Sequence, residues 1–121
     1  GFRIEHDGYI VVYCTDMEYT LETLDDRLID FAQNAHALIY DAQYTQEELK
    51  YKTGWGHSTP DVAAYIANEA KVKQLVLYHH DPSHNDKKLA DMLKYTQTLF
   101  PQTCLAKEGL EIDLTKLPFS P

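Results

Sequence analysis

Basic residues are scarce. Lys and Arg number 11 against 19 Asp and Glu, which leaves a net charge of −8. Phosphate-rich partners are held by basic faces, so a generic nucleic-acid or anionic-membrane surface is not expected, while a local basic patch supplied by another segment or subunit stays open. Cysteine is also scarce. Cys14 and Cys104 are too few for a disulfide scaffold. Cys14 lies inside an apolar run and reads as a buried, reduced thiol, so the cytoplasm is the default compartment. No apolar run approaches the roughly 20 residues that span a bilayer. The longest, Tyr9 to Cys14 and Leu75 to Tyr78, are strand-sized. No basic segment followed by an apolar stretch opens the chain, so a signal peptide is not expected. A Gly-x-Ser-x-Gly elbow is missing, as is a glycine loop of the Walker or dinucleotide type. No repeat, linker or low-complexity segment occurs.

What remains is an ordinary globular domain. The 121 residues suffice for one domain, with 44% apolar and 25% charged residues. Gly1 to Glu5, the turn His6-Asp7-Gly8, and Tyr9 to Thr15 read as a hairpin, since Asp-Gly between apolar runs favours a tight turn. Ile10 to Cys14 does not alternate, which predicts a strand covered on both faces. Leu21, Leu24, Leu28, Phe31, Ala32 and Ala35 recur at three- and four-residue steps and predict a helix over Thr20 to Asn34. Ala37 to Tyr40 is a short buried strand ending at Asp41. Thr45-Gln46-Glu47-Glu48 forms a capping box, with Tyr44 and Leu49 in the staple positions. Thr59 caps a further helix with Pro60 at its first position. Gln74 to Tyr78 is a third buried strand. Asn85 caps a long helix with Leu89, Met92, Leu93, Thr96 and Phe100 on one stripe. Thr103 to Ala106 and Leu110 to Leu114 predict a terminal hairpin, with 115–121 a flexible tail. Strands alternating with helices give an α/β fold, a β-sheet with packed helices.

Three polar residues directly follow three buried strands: Asp16, Asp41 and His79. If the strands share a direction, these side chains converge on one edge, where open α/β sheets bind ligands. His57 lies in a glycine-rich loop before a helix N-terminus, a place that can hold an anion. Carboxylate and imidazole together ligate zinc or harder metals or form an oriented acid–base pair. Each signal also has a plainer meaning. Asp16 can be a turn former, Asp41 can merely precede a helix, and His57 can be a loop histidine. The His79-His80 doublet can be turn chemistry. His6, His36 and His84 lack nearby partners in sequence and are expected to face solvent. Trp55 and the nine tyrosines are expected to pack rather than to form a stacking platform.

Three segments in this order resemble the second half of metallo-β-lactamase-fold hydrolases: Leu38-Ile39-Tyr40-Asp41-Ala42-Gln43-Tyr44-Thr45, Gly54-Trp55-Gly56-His57-Ser58-Thr59, and Leu75-Val76-Leu77-Tyr78-His79-His80-Asp81-Pro82. The likeness is to the branch holding ribonuclease Z and the phosphoribosyl cyclic phosphate phosphodiesterases. Tyr13-Cys14-Thr15-Asp16 resembles that branch's strand ending in a metal-bridging aspartate. The resemblance covers about residues 1 to 95. It implies that Asp16 bridges two metal ions and that His79, by motif alignment rather than His80, is the last histidine ligand. It further implies that His57 donates a proton to the leaving oxygen and that Asp41 orients His57. Tyr40-Asp41-Ala42-Gln43 departs from the family's His-Glu-Ala-Thr at three positions but keeps the acid.

The family's His-x-His-x-Asp-His is absent from this sequence. The chain is therefore expected to be the C-terminal half of a longer metallo-β-lactamase-like domain, one half of a four-layer αβ/βα sandwich. Its partner would be the missing N-terminal half, with most of the metal ligands. The implied cofactor is a divalent metal, two zinc ions with manganese or iron as alternatives, in the complete protein. The isolated chain is expected to be metal-free and inactive. The implied activity is hydrolysis of a small phosphodiester, which the acidic surface suits better than a long polyanion. A homodimer is a further expectation, because relatives often dimerise. The competing readings are a non-catalytic binding or assembly module of the same fold, and a lactonase or thioester hydrolase.

Overall fold

Asp7 and Gly8 both take positive φ, 50° and 82°, the pair of conformations that a two-residue type I′ turn requires. They join β1 (Phe2–His6) to β2 (Tyr9–Cys14) as an antiparallel hairpin, with Phe2 opposite Tyr13 and His6 opposite Tyr9. The computed structural model describes residues 1–15 and 18–117 of the chain. The remaining strands, β3 (Ala37–Asp41), β4 (Gln74–Tyr78) and β5 (Thr103–Leu105), extend one five-stranded sheet in the order β1-β2-β3-β4-β5. Strands β2 to β5 run parallel, so their carboxyl ends share one edge.

The connections carry α1 (Asp26–Ala32), α2 (Gln46–Lys52), α3 (Pro60–Ala70) and α4 (Asp86–Leu99). Period-two alternation sends Val12, Cys14, Leu38, Tyr40, Leu75 and Leu77 to one face of the sheet. There they are buried against Leu28 and Ala32 of α1 and Val62, Ala63, Ile66 and Ala70 of α3. Helices α2, α3 and α4 start where the sequence places a cap. Thr45 and Glu48 close a complete capping box on α2, and Asn85 Oδ1 accepts from Lys88 N at 2.8 Å at the start of α4. Tyr44 and Leu49, the staple pair, are both buried.

Three local expectations fail. The first helix begins at Asp26, not Thr20. Asp25 caps it, and Thr20 and Thr23 bond to each other in a separate turn, which leaves Leu21 exposed. The sheet is not equally covered on both faces. Opposite the core, Val11, Tyr13, Ile39, Val76 and Tyr78 line a cavity of about 400 Å³, and among the described residues the segment bearing Ala106, Leu110, Ile112 and Leu114 lies over it. That segment crosses the sheet face without pairing as a strand, so the terminal hairpin does not form. β5 pairs with β4 instead. Of the expected flexible tail, Pro118 to Pro121 lie outside the described residues, and Asp113 holds Thr115 in a turn just before them. Among the described residues, no helix is long and apolar enough to cross a membrane.

Candidate active site

β3 delivers Asp41 to the carboxyl edge of the sheet, where its side chain is fully buried. A carboxylate in that position needs donors for both oxygens. Oδ1 accepts from the backbone N–H groups of Gln43 and Ser58, each at 3.2 Å, and Oδ2 lies 2.8 Å from Nδ1 of His57. One carboxylate therefore ties the loop after β3 to the loop before α3. A carboxylate only accepts, so Nδ1–H of His57 donates to it and the ring's lone pair lies on Nε2. The His57 side chain is 15% exposed, and the Tyr44 ring meets it edge-on at 6.0 Å.

β4 ends at Tyr78, and His79 then takes φ +61°. The left-handed region costs a residue with a Cβ about 1–2 kcal/mol. The turn brings the His79 ring against His57, with centroids 4.3 Å apart and planes 25° from parallel. Nδ1 of His79 lies 2.8 Å from Oε1 of Gln43. Donation to that amide oxygen selects the tautomer with a basic Nε2, the form that metal-binding imidazoles use. His79, not His80, faces His57. Nε2 of His80 donates to the Ala106 carbonyl at 3.2 Å, and burial pulls its pKa below the ordinary imidazole range, outweighing that bond.

The structure thus brings Asp41, His57 and His79 together, with one potential ligand atom from each lying within 4.8 Å of the others. The Asp41 carboxylate accepts from two backbone N–H groups and meets the His57 ring. The two imidazoles are the donors suited to a borderline-soft divalent metal. Asp16 lies outside the described residues, as does Met17. Strand β2, which precedes them in sequence, runs parallel to β3, with Cys14 opposite Tyr40. A cavity of about 500 Å³ lined by Tyr78, His79, His80, Ala106, Lys107 and Glu108 opens beside the site. A similar hollow of about 530 Å³ along α2 includes none of the three residues and is not the place for this chemistry. Cys14 is no nucleophile, since burial pushes its thiol pKa up.

Two contributors escaped the sequence reading. Gln43 was a motif departure with no role, yet it holds His79. Glu18 belongs to no local motif in the sequence. Its carboxylate accepts from Gly54 N (2.7 and 3.0 Å) and Gly56 N (3.2 Å), which fastens the loop that carries His57. The only sequence clue was the Gly-x-Gly spacing, and both glycines take left-handed φ, 89° and 85°. Two expectations also need correction. His84 does not face solvent: its side chain is 4% exposed and bonds both oxygens of Glu48, at 3.0 and 2.9 Å. Trp55 does not pack into the fold but stands 61% exposed.

Residues 1–80 match the family described as a beta-lactamase superfamily domain. A protein named ribonuclease Z from Prochlorococcus marinus is 38% identical over 112 residues, which cover 90% of this chain and 34% of that one. A ribonuclease Z from Synechocystis is 32% identical over 117 residues, 94% of this chain and again 34% of that one. The metallo-beta-lactamase fold protein YhfI from Bacillus subtilis superposes with a TM-score of 0.72 at 28% identity, over 89% of this chain and 41% of its own. The short form of human tRNase Z superposes with a TM-score of 0.60 at 21% identity, over 88% of this chain and 34% of its own, a likeness of fold alone. The chain spans about a third of the length of the curated relatives it matches.

Proposed function

The chain belongs to the beta-lactamase superfamily, and from that membership we propose that it is the acid-donating, C-terminal half of a metal-dependent phosphodiesterase. The observation that carries the reading is the contact of His57 with Asp41 on one side and His79 on the other. Similarity to proteins named ribonuclease Z supports phosphodiester chemistry. The half-uncovered apolar face of the sheet supports a further layer supplied by an N-terminal half bearing the His-x-His-x-Asp-His ligands. We assign the protein to the cytoplasm, since both cysteines are buried free thiols.

His79 and Asp16, together with ligands from that first half, would hold the metal, two zinc ions with manganese or iron as alternatives. When bound, it supplies Lewis-acid charge for the phosphoryl oxygens and a water of lowered pKa. The chain's own residues manage the leaving group. Protonated His57 presents Nε2–H to the departing oxygen and gives up its proton as the P–O bond breaks. Asp41 holds the ring by Nδ1 and stabilises the imidazolium without taking the proton. Gln43 fixes the angle of His79, and His79 limits how far the His57 ring can turn. A small phosphodiester is the expected substrate. Lactone or thioester hydrolysis makes less use of an acid held in this way.

The test is His57→Ala in the complete protein. Turnover of bis(p-nitrophenyl) phosphate should fall by about 10²–10⁴-fold with metal content unchanged. Unchanged turnover refutes the acid role, and loss of metal makes His57 a ligand instead.

A further inference from the structure

Two side-chain bonds join the loop after β4 to the segment after β3. One is His79 to Gln43, and the other is His84 to Glu48. Both pairs are 36 residues apart in sequence, so the two bonds run in register along the same two segments. The segment after β3 is fixed along its length. Gln43 N–H donates to Asp41 Oδ1 at 3.2 Å, and Thr45 N–H donates to Glu48 Oε1 at 2.9 Å within the capping box. Glu48 therefore stays in place as long as the start of α2 does.

The loop after β4 is held locally by Asp81. It accepts from Ser83 N–H at 2.8 Å through Oδ1 and from His84 N–H at 2.9 Å through its carbonyl, which folds residues 81–84 into a turn. His84 fastens that turn across to α2. Its Nε2–H points at the Glu48 carboxylate, 3.0 Å from Oε1 and 2.9 Å from Oε2. The side chain is buried, and Nδ1 has no partner among the described residues. His79 begins the same loop in the left-handed region, and a strained residue keeps its conformation only where its surroundings over-determine it. Gln43 and the stack on His57 act on the His79 ring. The Glu48–His84 bond acts on the backbone that follows it.

We infer that His84 is a positioning residue for His79. By anchoring the turn after β4 to the start of α2, it keeps His79 in the left-handed conformation that sets its ring against Gln43 and His57. The inference rests on the reading of His79 as a metal ligand.

Zinc affinity of the complete protein, measured against a competing chelator, tests it. His84→Phe keeps a buried ring and removes the donor. It should weaken zinc binding by about tenfold, the lower end of what outer partners of metal-binding imidazoles contribute. His84→Gln, which keeps an N–H donor, should restore most of the loss. In the metal-free protein, amide exchange at Ser83 and at residue 84 should quicken by about tenfold or more in His84→Phe, with exchange in β3 and β4 unchanged. Unaltered zinc affinity in His84→Phe overturns the proposal. So does a loss that His84→Gln fails to restore, or one matched by faster exchange in β3 and β4, which is general destabilisation. His79→Ala separates the inference from its premise. If that change leaves zinc affinity intact, His79 is no ligand, and the metal reading falls together with the inference. If it lowers affinity and His84→Phe does not, the positioning role alone fails.

Discussion

Oδ2 of Asp41 lies 2.8 Å from Nδ1 of His57, and the carboxylate has no exposure to water. Its second oxygen is taken by two backbone N–H groups from different loops. A single side chain thus sets both the position and the tautomer of the imidazole. In the proposed hydrolase, Asp41→Asn should keep the fold, present the wrong tautomer and lower kcat by about 10⁴-fold. Asp41→Ala should additionally cost roughly 2–4 kcal/mol of stability, because one buried and two part-buried donors lose their acceptor. Steady-state kinetics beside thermal melts check both.

Gln43 acts on the other ring. Its amide oxygen meets His79 Nδ1 at 2.8 Å, and partners of this kind typically set metal affinity by 10–100-fold. Gln43→Ala should therefore weaken metal retention in the complete protein by about that factor, whereas Gln43→Glu, which keeps an acceptor, should not. Metal titration against a competing chelator measures the difference.

Glu18 predicts a local effect. Removing its carboxylate leaves the Gly54 and Gly56 N–H groups without their acceptor. In Glu18→Ala, amide exchange at these two glycines should quicken by at least tenfold, about 1.4 kcal/mol of local opening. Exchange in the core strands should not change. Turnover should fall in parallel, since the same loop carries His57.

Glu48 predicts a pH dependence. Burial tends to raise its pKa, but hydrogen bonds from Thr45 and His84 outweigh this and hold the carboxyl below its ordinary value of 4.5. A carboxyl with a lowered folded-state pKa contributes stability above its unfolded value and loses it as pH falls through the folded one. Glu48→Gln should cost about 1 kcal/mol at pH 7, from the weakened cap and the His84 bond. The gap between wild type and variant should close below pH 4.5. Denaturant melts at pH 7 and pH 3.5 measure it.

Much of the framework could be read from residues alone because its signals are local. Asp7-Gly8 dictates its turn, Thr45 with Glu48 dictates a helix start, and apolar runs ending at Asp41 and Tyr78 dictate strands whose ends meet. What could not be read depended on distant partners. The stripe from Leu21 to Ala35 has helical spacing, but Asp25 captures the cap position and shortens the helix. His84 has no neighbour in sequence, and its partner Glu48 stands 36 residues away. Glu18 and Gly54 are likewise 36 apart. Ile10 to Cys14 is apolar throughout, yet only Val12 and Cys14 are fully buried, because composition does not say which face finds a neighbour.

The left-handed backbone at His79 sets two demands against each other. Glycine or asparagine suits that conformation better than histidine does, so thermal selection alone would drift toward them. Against that cost the imidazole gains its bond to Gln43 and its stack on His57. In the proposed hydrolase, stability rankings at this position would therefore trade ligand chemistry for heat resistance.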